Sequence, residues 1–222
     1  MNPARASRLA GALYLVIILA GVWGEGFARG GMLVPGDAAA TAAAIREGAG
    51  LFRLALAADL LMTFCDAGVA VLLFLLLRGF FVVAALAAMI FRLIQTAVIA
   101  ANMLVTASAG LLAEAGDAPA LVAMELRALG YDIGLGFFAI CNLLLGAIFV
   151  RSRGLPGWLG LLLAATGAVY LAGTGLHILA PAALAAFQPA YLVPLIVETV
   201  FAFWLLLAGP RRLVPAVATG AH

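Results

Sequence analysis

The chain has 222 residues, of which 67% are hydrophobic and only 10% charged, and its mean hydropathy is +1.22. Soluble domains sit near half apolar and a quarter charged, so this composition excludes a water-soluble globule and requires lipid as solvent. All twelve basic residues are arginine, the formal net charge is +2, and no basic run interleaves with aromatics, which excludes nucleic-acid binding.

Six apolar segments follow in chain order: 9–28, 55–77, 84–112, 129–150, 157–179 and 192–209. Most reach the ~20 residues that a helix needs to cross hydrocarbon. Helices are the open-chain solution there, because every backbone group must be paired internally. The predicted fold class is therefore all-α, a polytopic membrane protein whose single transmembrane domain, residues 1–222, is a six-helix bundle.

The first segment follows Arg5 and Arg8, as a secretory signal would. Five further spans follow, so the segment reads as an uncleaved first helix. After it, "VPGDAAATAAAIREG" reads as a turn at Pro35-Gly36, an N-cap at Asp37 and a short alanine-rich helix covering the extracytoplasmic surface.

Arginine sets the orientation. One side receives Arg5, Arg8, Arg78, Arg151, Arg153, Arg211 and Arg212, the other Arg29, Arg46, Arg53 and Arg127. The loop acids Asp37, Glu47, Glu114, Asp117 and Glu125 all fall on the second side. The expectation is that both termini lie in the cytoplasm.

The second segment, "ALAADLLMTFCDAGVAVLLFLLL", carries Asp59 and Asp66. A charge at the bilayer centre costs about 2.5–3.5 kcal/mol on insertion scales, so such residues face the bundle interior and pair. Seven residues apart, the two share a helix face at about 10 Å separation, with Thr63 between them. In the third segment Arg92, Gln95, Thr96, Asn102 and Thr106 recur at helical spacing. The two polar faces belong against each other, and Asp66 and Arg92, both near mid-depth, are the natural ion pair. That seam, Asp66, Arg92, Gln95 and Asn102, serves either as a register device or as a charge relay or the floor of a cavity.

A second set lies shallower, one ionisable group from each of five segments: Glu25, Asp59, Asp132, His177 and Glu198. Converging, they would form an acidic outer vestibule with His177 as its cation, suited to a cation, a proton or an amine-bearing ligand. Asp59 and Glu198 are too deep to snorkel to the interface. Pro194, four residues before Glu198, is placed to kink the last span.

The remaining motifs point to packing. Gly130 and Gly134, and Gly157, Gly160, Gly167, Gly173 and Gly175, read as sites of close helix approach. Cys65 and Cys141 read as small buried hydrophobes. There is no GxSxG, no HExxH and no phosphate-binding loop, His222 is the terminal residue, and one intramembrane histidine is a poor start for a zinc or haem site. No cofactor and no metal is expected, and the chain leans away from being an enzyme.

The stretches "RLAGALYLVIILAGVWGE", "LVPGDAAATAAAI", "LFRLALAADLLMTFCDAGVAVLLFLLLR", "FRLIQTAVIAANML", "YDIGLGFFAICNLLLG" and "QPAYLVPLIVE" together resemble the bacterial multi-pass membrane family catalogued as domain of unknown function 4386. The likeness runs through nearly the whole chain. It implies an all-helical inner-membrane protein and carries over no established activity, substrate or catalytic residue. By the resemblance, Asp59, Asp66 and Arg92 fall in the family's most typical stretches, and Glu198 matches an acid usual in its last helix. The chain departs from the pattern at "RGFFVVAAL", where relatives tend to have a polar, proline-bearing turn. It departs again at "FFAICNLLLG", where some relatives carry histidine.

The function expected is binding or transport of a small cation, proton or polar ligand through the acidic vestibule. The alternatives are a structural subunit of a membrane complex, or an intramembrane enzyme on lipid-like substrates. The bilayer is the expected partner; a second copy or a protein partner stays open.

Overall fold

A computed structural model describes residues 2–213. His222 and the last residues of the C-terminal tail lie outside the described residues. Helix α1 (Pro3–Gly21) continues as a π-helix, Val22–Ala28; α2 spans Ala38–Glu47, α3 Ala49–Leu77, α4 Val82–Ala115, α5 Asp117–Arg151 and α6 Gly157–Leu179. Helix α7 (Pro181–Phe187) leads through a 3-10 turn, Gln188–Tyr191, into α8 (Leu192–Leu207), and α9 (Gly209–Arg212) follows. No strand occurs among the described residues.

Six stretches are long and apolar enough to cross a membrane: 3–28, 49–77, 82–115, 117–151, 157–179 and 181–207. Burial has the sense that lipid demands. Phe27, Leu104, Leu111 and Leu179 point outward and are 76–85% exposed, while Asp66 and Arg92 are buried. The chain is a multi-pass membrane protein.

Local chemistry sets the helix ends. Asn2 caps α1, its Oδ1 accepting the Ala4 N–H at 2.9 Å, with Pro3 in the first turn. Asp37 caps α2 in the same way through the Ala40 N–H, after a turn in which Gly36 takes φ 76°. The spans overrun the apolar segments: α3 begins at Ala49 rather than at 55, and α5 at Asp117 rather than at 129. Charge ends an apolar run but not a helix, so Arg53, Glu125 and Arg127 stay helical. The turn between α3 and α4 is short, Arg78–Phe81, and apolar as written.

Each span packs on its neighbour in sequence, and α8 closes back on α1, so six helices form one ring. Helices α4, α5 and α6 are the tightly packed side. A Cβ on Gly146 would lie 2.6 Å from the Gly160 carbonyl oxygen, and one on Gly160 2.7 Å from the Gly146 oxygen, so the α5 and α6 backbones touch. Gly130 and Gly134 likewise admit Asn102 and Ile99 of α4. The seam between α6 and α8 is looser and is spanned by α7 and the 3-10 turn.

Both described ends lie on one face, with Pro3, Arg78 and Leu213 around a common groove. That arginine-rich face holds the main core, built around Tyr14, Phe149, Phe201 and Leu205. The opposite, acid-rich face holds a second core: Ile45 and Ala42 of α2 pack on Phe52, Ala109, Ala120 and Met124. Helix α2 thus seals the ends of α4 and α5 rather than resting on lipid alone.

Candidate functional site

The ring encloses a cavity of about 370 Å³, lined by all six spans. Helices α1 and α8 touch near the arginine-rich face, where a Cβ on Gly11 would meet the Ala202 oxygen at 2.7 Å. Toward the acid-rich face the two helices line the cavity instead, with Ile17, Ile18 and Val22 from one and Leu195 and Glu198 from the other. Glu25, Asp132, exposed Gln188 and Tyr191 belong to the shallow end.

Asp66 and Arg92 line the cavity's deep end. Arg92 is the largest fully buried side chain, about 15 Å along α4 from its start. Its Nε and Nη2 donate to Asp66 Oδ1 at 2.8 and 2.5 Å, and Thr96 Oγ1 donates to Asp66 Oδ2 at 2.6 Å. The guanidinium carbon lies 4.7 Å from the Tyr14 ring centre and 4.8 Å from that of Phe138. Both charges are therefore fully partnered. Beyond Arg92 toward the arginine-rich face there remains a void of about 10 Å³, room for roughly one water.

A four-residue network stands at the acid-rich end of α1. Arg29 Nη2 donates to Glu25 Oε1 at 2.6 Å and to Asp59 Oδ1 at 2.9 Å, and Arg127 reaches the same Glu25 oxygen. The π-helix makes this geometry. Its wider turn closes with the Arg29 N–H on the Gly24 carbonyl, and Gly24 packs beside the Arg29–Asp59 pair, where a Cβ would lie 3.3 Å from Arg29 Nη2. Arg29 lies just past the span and is buried; burial lowers its pKa, but Glu25 and Asp59 outweigh this and raise it, so it stays charged.

The shallow acid Asp132 pairs with His177 Nδ1 at 2.5 Å. Its backbone oxygen accepts from Thr174 Oγ1 at 2.7 Å. Glu198 differs from the rest. It is 7% exposed, lines the cavity and accepts one hydrogen bond, from Tyr170 at 2.8 Å, with no cation paired to it among the described residues. Gln95 also lines the cavity, 9% exposed, and its Oε1 has no hydrogen-bond partner.

The residues singled out in the sequence therefore divide. Glu25, Asp132 and Glu198 line the cavity together with Asp66, Arg92 and Gln95, so the vestibule and the seam are one space. Asp59 turns away to Arg29, and His177 lies behind Asp132; neither lines the cavity. Asn102 donates to the Arg127 carbonyl oxygen at 2.8 Å, outside the cavity, against Gly130.

One expectation needs correction. His177 is not the vestibule's one cation, because Arg29 and Arg127, assigned to loops, fold inward onto Glu25. Pro194 stands in the first turn of α8, directly after the 3-10 turn Gln188–Tyr191 that interrupts the last span, 181–207.

Sequence reasoning missed Arg29, Arg127 and the aromatic wall of Tyr131, Phe138, Tyr170 and Tyr191. Signals existed. Arg29 is four residues after Glu25, and Tyr170 is seven before His177 on one helix face.

The profile of the family described as a domain of unknown function, DUF4386, matches residues 9–209. The chain belongs to this family. Comparison with functionally curated proteins and with solved structures gives no match. The family brings no activity, so what the site does must be argued from its chemistry.

Proposed function

We propose that this family member binds a small cation or a protonated polar ligand in the cavity, entered from the acid-rich face. On this reading that face is extracytoplasmic, the membrane is the bacterial inner membrane and both termini are cytoplasmic, in line with the arginine bias. Glu198 carries the reading. A carboxylate this deep is costly unless something neutralises it, and its neighbours leave that role to a proton or a ligand. Of the other acids of the cavity, Glu25 and Asp66 are paired with arginine and Asp132 with His177.

Arg92 closes the cavity toward the arginine-rich face, which fits a sensor, or a transporter held open to one side; passage would require the Asp66–Arg92 pair to part. A second reading, a packing subunit of a membrane complex, draws on the saturation of that pair, since buried ion pairs can fix register without binding anything.

Melting of the detergent-purified protein across pH and a panel of inorganic cations and amines decides between them. Ligand-dependent stabilisation is expected in wild type and in Asp59→Asn, whose carboxylate faces Arg29, and is expected to vanish in Glu198→Gln. A flat response throughout would sink the binding reading and leave the packing one.

A further inference from the structure

Deepening that reading and resting on it, we infer that the ligand is an amphipathic organic monoammonium: one protonated amine carrying N–H, on an apolar body of about a dozen non-hydrogen atoms.

The charge count sets the valence. Among the groups in and around the cavity, Glu198 is the acid that Arg29, Arg92, Arg127 and His177 do not pair with. With His177 protonated, one carboxylate is left open and answers one positive charge, which disfavours a polyamine. A bare inorganic ion fits poorly as well. Hard cations want about six or more oxygen ligands, and among the described residues no three His, Cys, Asp or Glu side chains group closely enough to hold a metal. A cavity of about 370 Å³ also far exceeds one ion and falls in the range of small-molecule sites.

The walls set the body. Phe138, Tyr170 and Tyr191 stand in a row, with ring centres 5.7 and 6.1 Å apart, and Ile17, Ile18 and Leu195 are apolar lining residues. This wall already accepts a cation, since the Arg92 guanidinium packs on Phe138. An ammonium beside Tyr170 would find aromatic surface and the Glu198 carboxylate together.

Gln95 sets the head. Gln95 is 9% exposed with a buried, unpartnered Oε1, and rotation of the amide can turn that acceptor to the cavity. A donor N–H satisfies it and Glu198, whereas a quaternary ammonium has no N–H to give. The half-exposed apolar side chains of Val22 and Leu195 suit a ligand whose other end is greasy.

The test is titration calorimetry on the full chain in nanodiscs, with 2-phenylethylammonium, its neutral counterpart 2-phenylethanol, tetramethylammonium and sodium chloride. The expected result is saturable binding of 2-phenylethylammonium, weaker by about tenfold to a hundredfold for the alcohol and in Glu198→Gln. Ile18→Trp, which narrows the cavity without changing a charge, is expected to weaken it by about tenfold and serves if Glu198→Gln fails to fold. Equal binding of the alcohol, or tighter binding of tetramethylammonium, overturns the inference. Glu198-dependent binding of sodium with none of the amine overturns it and leaves the cation reading standing. Absence of binding by every probe overturns both.

Discussion

Asp66 and Glu198 are two deep carboxylates lining one cavity, and their surroundings are opposite. Asp66 receives three hydrogen bonds, two of them from a guanidinium that is itself packed on two rings. Glu198 receives one, from a neutral phenol. Burial alone therefore does not separate architecture from function; the number and charge of the partners does. Asp66 is part of the frame, and Glu198 is the place where the frame stops short.

Four single substitutions and one double variant would break or sharpen that contrast. Arg92→Leu strands Asp66 without a cation and is expected to destabilise the protein by about 3–5 kcal/mol, measured by denaturation in mixed micelles. Replacing both partners with leucine is expected to recover most of that loss; a double variant as unstable as the single would refute a purely architectural pair. Thr96→Val removes the donor to Asp66 Oδ2 and is expected to cost about 2 kcal/mol in the same assay.

Tyr170→Phe, the matching change on the other acid, is expected to cost only about 1 kcal/mol, because cavity water can replace the lost hydroxyl. Glu198→Gln is expected to change stability by less than about 1 kcal/mol while ligand-dependent stabilisation disappears. Should Glu198→Gln prove as damaging as Arg92→Leu, the two acids are alike and the contrast fails.

Much of the fold was legible because lipid leaves few options. Spans follow from apolar length, the α2 cap from Asp37, and the Asp66–Arg92 pair from two polar stripes at helical spacing on antiparallel neighbours. The candidate site was legible only in part. Glu25, Asp132 and Glu198 were found because an ionisable residue in an apolar run is conspicuous. Arg29 and Arg127 escaped because each follows or precedes apolar sequence in a stretch that reads as loop, where arginine is ordinary. The tyrosines escaped because aromatic residues are ordinary anywhere in a span.

What the sequence determined by itself is the class of molecule: six helices in lipid, short turns on the arginine-rich side, and a set of charges that had to face inward. Tertiary structure alone decided which charge meets which. A π-turn brings Arg29 onto Glu25 and Asp59, the close contact at Gly146 and Gly160 makes one side of the ring tight, and the space between α1 and α8 leaves Glu198 open. The physical reason is range. Hydropathy and helical period act along one chain segment, whereas pairing depends on angstrom-scale placement across segments up to about a hundred residues apart, such as Glu25 and Arg127.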